Sequence, residues 1–345
     1  MRILGYCAQM VLLLCAATAR AGEAPPGTHA SYELGLGYRL GDSGFTLGGY
    51  AEAAYRDADG DTPWRASLEA LSALLWWDGA DRWRFLMELE LDDALVLEPG
   101  GSTADEATPV LERFHVDYAY RDPLKLRLGK FLTPIGRWNV IHAAPLTWTT
   151  SRPLITEATF PTNATGAMLY GVLPWGADGI EYALYASPGE ELFAAKDVDT
   201  FREAFGLRTA AALLPHAQVG VSFATFEQES TPERKTLYGL DFLWAWRRFE
   251  LSGEAAYRVR DFGEDQADER GHYLQAVAPL SGRLFAVLRY EGFHEIDAGR
   301  DLNLYLGGLT WRPRPALALK AEYAQATDND IGVRDGLRAS IAVLF

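Results

Sequence analysis

The sequence has little cysteine and no long apolar run. Its two cysteines, Cys7 and Cys15, both lie near the start of the chain. If that start is removed, no disulfide can stabilise the protein, although disulfides are common in exported chains. No later stretch approaches the roughly eighteen consecutive apolar residues of a membrane-spanning helix. The sequence therefore predicts neither a disulfide-stabilised domain nor a helical membrane protein.

Positive charge is also scarce. The chain has 32 Lys and Arg against 47 Asp and Glu, a formal net charge of −15 at pH 7. A nucleic-acid-binding surface is typically basic, so nucleic acid is excluded as an expected partner.

The first residues have the pattern of an export signal. Arg2 precedes the apolar run Met10–Ala17, and Ala19–Ala21 (ARA) is a small-residue cleavage site. A membrane anchor is the alternative, but the apolar run is too short to span a bilayer. We expect a signal peptide over residues 1–21 and a leader over residues 22–43. Losing Arg2 and Arg20 changes the net charge from −15 to −17.

Alternating polar and apolar residues dominate the rest of the chain. From Gly44 onward we identify sixteen runs of about ten residues, the length that a tilted membrane strand needs. The second run, RASLEALSALLWW, is also compatible with a helix. The predicted strands are 44–57, 64–77, 82–95, 109–121, 124–135, 166–174, 179–187, 202–214, 217–228, 234–247, 249–262, 271–279, 283–294, 301–312, 316–327 and 335–345.

The connections between these runs alternate strictly between short and long. Short turns such as Asp122-Pro123 alternate with longer, often acidic loops such as Glu98–Thr108. Outer-membrane barrels have short periplasmic turns, longer outer loops and an even number of strands. A soluble β-sandwich is the alternative, but nothing in its architecture requires this alternation. The sequence therefore predicts an all-β fold, a transmembrane antiparallel barrel of sixteen strands over residues 44–345.

Side-chain alternation assigns an inner and an outer face to each run. In the fifth run Leu124, Leu126 and Leu128 are predicted to face lipid, while Lys125 and Arg127 face inward. The inward positions of all runs carry nearly equal numbers of acids and bases. Such a charged interior cannot form a dry core, so we expect it to hold water.

Outward aromatic residues are expected to mark both membrane interfaces, and the terminal Phe resembles the assembly signal of bacterial outer-membrane proteins. These residues are Tyr55, Tyr257, Tyr290 and Tyr323 at the upper ends of strands, Tyr120, Trp244 and Trp246 at the lower ends, and Phe345.

The stretch Gly129–Gly166 breaks the pattern. It contains Pro134, Pro145, Pro153 and Pro161, which interrupt regular structure. Its Trp, Thr and Ile content and few charges argue against a disordered linker. A long apolar segment without periodicity predicts a functional loop that packs against the rest of the chain.

The chain resembles a Gram-negative general porin, and its run GKFLTPIGRW (Gly129–Trp138) is similar to the group around the phosphate-selective porins O and P. The resemblance implies a diffusion channel for small hydrophilic solutes or ions in the outer membrane, with its third outer loop folded into the lumen as a constriction. It also implies a homotrimer, contacts with outer-membrane lipid and lipopolysaccharide, and insertion by the outer-membrane assembly machinery. The loop carries too few bases to predict phosphate as the solute.

We expect charged residues of the inner face and of the third loop to line the pore, with the constriction beside the fourth and fifth strands. Ordinary cross-strand ion pairing is the alternative role for any single one of them. The candidate lining residues are Glu88, Glu90, Arg113, His115, Asp117, Lys125, Arg127, Arg137, His142, Arg152, Glu157, Lys320 and Arg338.

Three alternatives stay open. Asp57–Asp61 (DADGD) has the spacing of calcium ligands but lacks the downstream Glu of a full loop, so we interpret it as a turn and predict no metal or cofactor. A barrel enzyme of the lipase or protease type needs a nucleophile beside a base, and no G-x-S-x-G is present. A structural barrel with a plugged lumen is the third alternative.

Overall fold

The computed structural model describes residues 31–60, 63–79, 81–141, 143–176, 178–189, 191–193, 199–231, 233–260, 268–296 and 299–345. The expected signal peptide and most of the expected leader lie outside these residues. Within these ranges, none of the helices has the length and apolar character needed to cross a membrane.

Sixteen long strands pair antiparallel, each with the next along the chain. The last strand pairs with the first, from Gly336 opposite Ala58 to Leu344 opposite Tyr50, and so closes the sheet into a barrel. The strands are β1 Phe45–Ala58, β2 Arg65–Asp78, β3 Trp83–Glu98, β4 Thr108–Arg121, β5 Leu124–Leu132, β6 Asn163–Leu173, β7 Ile180–Ser187, β8 Phe201–Leu214, β9 Ala217–Gln228, β10 Lys235–Trp246, β11 Phe249–Arg260, β12 Glu269–Pro279, β13 Leu284–Glu295, β14 Arg300–Arg314, β15 Leu317–Thr327 and β16 Gly336–Leu344.

The predicted sixteen-stranded antiparallel barrel is therefore confirmed, including the ambiguous second run. That run is strand β2, and its alternation is broken because Glu69 forms a bulge. Ala70 pairs with Glu52, whereas Leu68 pairs with Ala53, so one residue of β2 has no direct partner on β1. The extra residue shifts the alternation by one position, which explains why the run is compatible with a helix in the sequence.

Two features complete the seam between β16 and β1. The main chain of Phe345 exchanges two hydrogen bonds with Gly49, both 2.9 Å long. Below that point a short hairpin, Ser31–Glu33 paired with Gly37–Arg39, continues the sheet along the start of β1. The segment expected to be a leader thus joins the barrel wall from residue 31.

The two faces of the wall differ as alternation predicts. On β5 the side chains of Leu124, Leu126 and Leu128 are 40%, 39% and 52% exposed. Lys125 and Arg127 between them are less exposed and lie on the inner face. Apolar side chains thus cover the outside of the barrel, as a lipid environment requires.

One connection departs from the barrel pattern. Residues 133–162 join β5 to β6, and we call them the 133–162 segment. They form two 3₁₀ turns, Trp138–Val140 and Ala144–Leu146, and the short helix α1, Leu154–Ala158. Its two ends are tied together, since Thr133 N–H donates to Thr162 O at 2.8 Å. Asn139 Nδ2 adds bonds to Thr133 O at 2.8 Å and Thr162 O at 3.0 Å.

Candidate functional site

Three carboxylates of the inner face bind main-chain N–H groups of the 133–162 segment. Glu254 on β11 accepts from Arg137 N–H at 3.0 Å and from Trp138 N–H. Gly136 lies beside it with φ 66°, and a side chain there would overlap the Glu254 carboxylate. Glycine at this position therefore allows both the left-handed backbone and the close approach.

The other two carboxylates act further along the segment. Glu291 on β13 accepts from Leu154 N–H at 2.6 Å. Glu322 on β15 accepts from two successive N–H groups, Thr150 at 2.8 Å and Ser151 at 2.9 Å. Charge-assisted bonds of this kind are stronger than neutral ones, so each carboxylate holds its part of the segment firmly.

Basic side chains bind the carbonyl groups of the same segment. Arg289 donates to Ser151 O at 2.9 Å and Lys320 donates to Thr149 O at 3.0 Å. Arg312 on β14 binds carbonyl groups nearer the start of the segment, and Arg258 on β11 binds carbonyl groups nearer its end. The remaining acceptors are Thr149 Oγ1 and Ser151 Oγ for Arg289, Ala144 O and Thr147 Oγ1 for Lys320, Ala158 O and Thr159 O for Arg258, and Pro145 O and Thr147 O for Arg312.

These anchors lie on β11 and β13 to β15, away from the bases of β4 and β5 that are expected to line the constriction. Arg113 is paired with Glu88, and Arg127 forms two hydrogen bonds to Asp117, at 2.7 and 2.9 Å.

His115 and Asp117 share this paired wall. His115 Nδ1 lies 3.3 Å from Asp117 Oδ1, and both residues are buried. Tyr170 donates a further bond to Asp117 Oδ2 at 2.9 Å. The Asp117 carboxylate thus serves a structural network of Arg, His and Tyr. Its neighbours in that network supply no serine nucleophile.

Two charged residues of the segment interact with side chains of β1, β3 and β16. Glu157 on α1 interacts electrostatically with Arg152, Arg338 and Arg56. Burial among barrel atoms raises the pKa of Glu157 above its usual value, although its side chain is exposed to the space inside the barrel. Arg152 interacts with Asp92 on β3. Both signs of charge therefore meet here, between the segment and strands β1, β3 and β16.

The other predicted lining residues are scattered. Glu90 accepts a hydrogen bond from Tyr50, and Lys125 lies near the β4–β5 turn, 4.0 Å from Asp122. The Arg137 side chain is half-buried. His142 lies outside the described residues. Side-chain alternation places Glu254, Glu291, Glu322 and Arg289 on the inner face together with Lys320. Of these five, only Lys320 is among the residues predicted to line the constriction, because an inward position is the only local signal that the others carry.

The expected interface aromatics lie on the outer face. Tyr120, Trp244, Trp246, Tyr257 and Tyr323 are 38–45% exposed. Tyr55 and Tyr290 are half-buried, as is the terminal residue Phe345. Tyr323 donates to Asp59 Oδ2 at 2.5 Å and Tyr290 to Asn303 Oδ1 at 2.7 Å. An apolar ring with a bonded hydroxyl suits a membrane–water boundary.

In the part of the chain that the structure describes, no group of three or more His, Cys, Asp or Glu side chains is arranged to hold a metal ion. Asp61, the last residue of the DADGD run, is outside that part.

No protein-family model matches the chain. A protein of unassigned function from Aquifex aeolicus is 23% identical over 357 residues, covering 88% of this chain and 80% of that protein. Among solved structures, the anion-selective porin from Comamonas acidovorans aligns with a TM-score of 0.64 at 15% identity, over 87% of this chain and 99% of the porin. OmpF of Salmonella typhi, in complex with daunomycin, gives 0.63 at 11% identity, over 87% and 97%. OmpT of Vibrio cholerae, in its trimer form, gives 0.60 at 10%, over 87% and 99%. At these identities the likeness establishes the fold: the chain is a closed barrel with the architecture of outer-membrane porins.

Proposed function

We propose that this protein is an outer-membrane porin, a water-filled channel through which small hydrophilic solutes or ions diffuse passively. The observation that carries the proposal is the combination of an apolar outer face with a charged inner face in a closed barrel. A barrel of sixteen strands leaves room for an aqueous channel. The fold shared with an anion-selective porin and with OmpF supports the same function.

The 133–162 segment is the proposed constriction. Its ends belong to β5 and β6, while its anchors reach β14 and β15. In a ring of sixteen strands, β6 and β14 are eight apart and thus on opposite sides. A segment that joins opposite walls narrows the space between them. Arg152 and Glu157 on the segment, facing Arg56, Asp92 and Arg338, are then the charges at the narrowest point.

The proposed setting follows from the same features. The short turns face the periplasm and the long loops face outward, with lipid and lipopolysaccharide around the apolar face. Insertion by the outer-membrane assembly machinery and a homotrimeric state complete the proposal; the trimer form of OmpT offers a precedent for the same fold.

Reconstitution in a planar lipid bilayer tests the proposal. Purified protein in potassium chloride should give stepwise, ohmic current increments of uniform size. Protein that inserts as a heat-modifiable barrel yet carries no current would overturn the channel and favour a plugged structural barrel. Hydrolysis of phospholipid or peptide substrates by the same preparation would favour the enzyme alternative.

A further inference from the structure

Four side chains form a stack on the inner face, near the end of the barrel with the short turns. The Arg248 guanidinium carbon lies 4.8 Å from the centre of the Phe285 ring. The Phe285 ring centre lies 4.8 Å from that of Trp148, with the planes inclined by 51°. The Arg312 guanidinium carbon lies 4.6 Å from the Trp148 ring centre. Cation, ring, ring and cation thus follow one another, and we name this group the Arg–aromatic stack.

The neighbours of the stack show that it lies on the inner face. Phe285 pairs across β13 and β14 with Thr310, which is fully buried. The Thr310 hydroxyl donates to Trp148 O at 2.5 Å, so Phe285 and the 133–162 segment lie on the same side of the sheet. Trp148, Phe285 and Arg312 are half-buried and Arg248 is exposed, which leaves the stack open on one side.

The positive charge of the stack is not fully balanced. The hydrogen bonds of Arg248 go to the main-chain oxygens Ser281 O at 2.9 Å and Gly282 O at 2.7 Å. Those of Arg312 go to Pro145 O and Thr147 O, and its Nε–H is buried without a hydrogen-bond partner. All these acceptors are uncharged. Glu250 acts electrostatically on Arg312 and offsets part of its charge.

Rings beside arginines provide two kinds of recognition at once. A guanidinium binds a carboxylate through charge and directed hydrogen bonds. A Trp or Phe ring adds favourable contact with a planar ring of the solute. A small anion without a ring gains only the first. We propose that the Arg–aromatic stack binds organic anions that carry an aromatic ring as they pass along the channel. This inference rests on the proposed channel function and names a solute class for it.

Block of single-channel current by benzoate, compared with acetate, tests this inference. Both are monocarboxylates, so a difference between them reports the ring. We expect benzoate to reduce the potassium chloride current at concentrations at which acetate does not. Arg248→Gln should weaken the benzoate effect about tenfold, the equivalent of about 1.4 kcal/mol. Phe285→Leu, which keeps an apolar side chain, should weaken it while leaving the effect of acetate unchanged.

Arg247→Gln is the matched control. Arg247 is the adjacent residue in the same turn, but its guanidinium lies over Trp246, 4.7 Å from the ring centre, on the outward face. Removing that charge should leave the benzoate effect intact.

The outcomes separate the two proposals. Absence of potassium chloride current overturns the channel itself. Normal current with equal effects of benzoate and acetate overturns the stack as a binding site. Equal weakening in Arg247→Gln and Arg248→Gln assigns the effect to the general charge of the channel mouth and also overturns it.

Discussion

Carboxylates fix the main chain of the 133–162 segment one residue at a time. Glu322 is the clearest case because it accepts from two consecutive N–H groups at 2.8 and 2.9 Å. It is 3% exposed, so water cannot readily replace either bond. Both carboxylate oxygens of Glu322 are therefore needed to hold the two N–H groups at the same time.

Glu322→Gln should loosen this part of the segment. A glutamine offers one oxygen and one NH₂, so one of the two N–H groups loses its acceptor, at a cost of about 1–3 kcal/mol. We expect larger open-channel current noise at unchanged barrel assembly. Glu181→Gln, an inward glutamate of β7 remote from these anchors, is the control. Identical noise in the two variants and the parent protein would contradict the anchoring role.

Glu157 gives the proposed channel a specific pH dependence. Because the pKa of Glu157 is raised, it takes up its proton at a higher pH than an ordinary glutamate. Lowering the pH then removes a negative charge near Arg152 and Arg338. The reversal potential in a salt gradient should move toward anion selectivity over that range. Glu157→Gln should reduce this shift, whereas Glu229→Gln, in an exposed outer loop, should leave it unchanged. A parent protein without the shift would remove Glu157 from the narrowest point.

At the scale of elements, the strands were predictable and the docking of the 133–162 segment was not. A strand such as β5 is predicted from the local alternation of Leu with Lys or Arg. The anchors instead join residues far apart in sequence, such as Ser151 and Glu322. The segment has no repeating polar and apolar pattern from which these partners could be predicted. The sequence therefore located the segment but gave no indication of the strands whose side chains anchor it. The bulge at Glu69 shows the other limit, since one extra residue shifts the alternation.

Removing residues 143–159 should raise single-channel conductance. The deleted stretch includes the main-chain partners of Arg289, Lys320 and Glu322, and these side chains would then face water. The ion pair of Arg289 and Glu291, 2.8 Å apart, would remain to satisfy part of the wall. Deletion of residues 100–106, in an exposed outer loop, is the control and should leave conductance close to that of the parent. Equal conductance in all three proteins would make the 133–162 segment irrelevant to ion flow.

At the scale of the whole molecule, barrel closure depends on the last residue. Phe345 contributes its main chain to the seam and also places its ring over β1. A methyl group on Gly49 would come within 2.8 Å of that ring. The expected role of Phe345 in recognition by the assembly machinery and this role in closure therefore coincide in one residue.

Two variants separate the roles. Phe345→Ala keeps both main-chain bonds to Gly49 and removes the ring, whereas deletion of Phe345 removes both. If the ring is the recognised feature, both variants should lower the yield of heat-modifiable barrel in membranes to a similar extent. If closure dominates, only the deletion should do so. Normal yields from both would assign neither role to Phe345. Refolding of purified protein into detergent, without assembly machinery, should be impaired by the deletion alone.

The 133–162 segment also has a mechanical consequence. It is tied to β5 and β6 at its base and to Lys320 and Arg312 at its other anchors. In the proposed channel it therefore acts as a brace across the barrel. A membrane presses on a barrel from the side, and an empty ring of strands resists such pressure only through its own curvature. Flattening of the barrel along this direction must distort or break the hydrogen bonds between the segment and the charged side chains of the wall. The cross-section is held in shape from within.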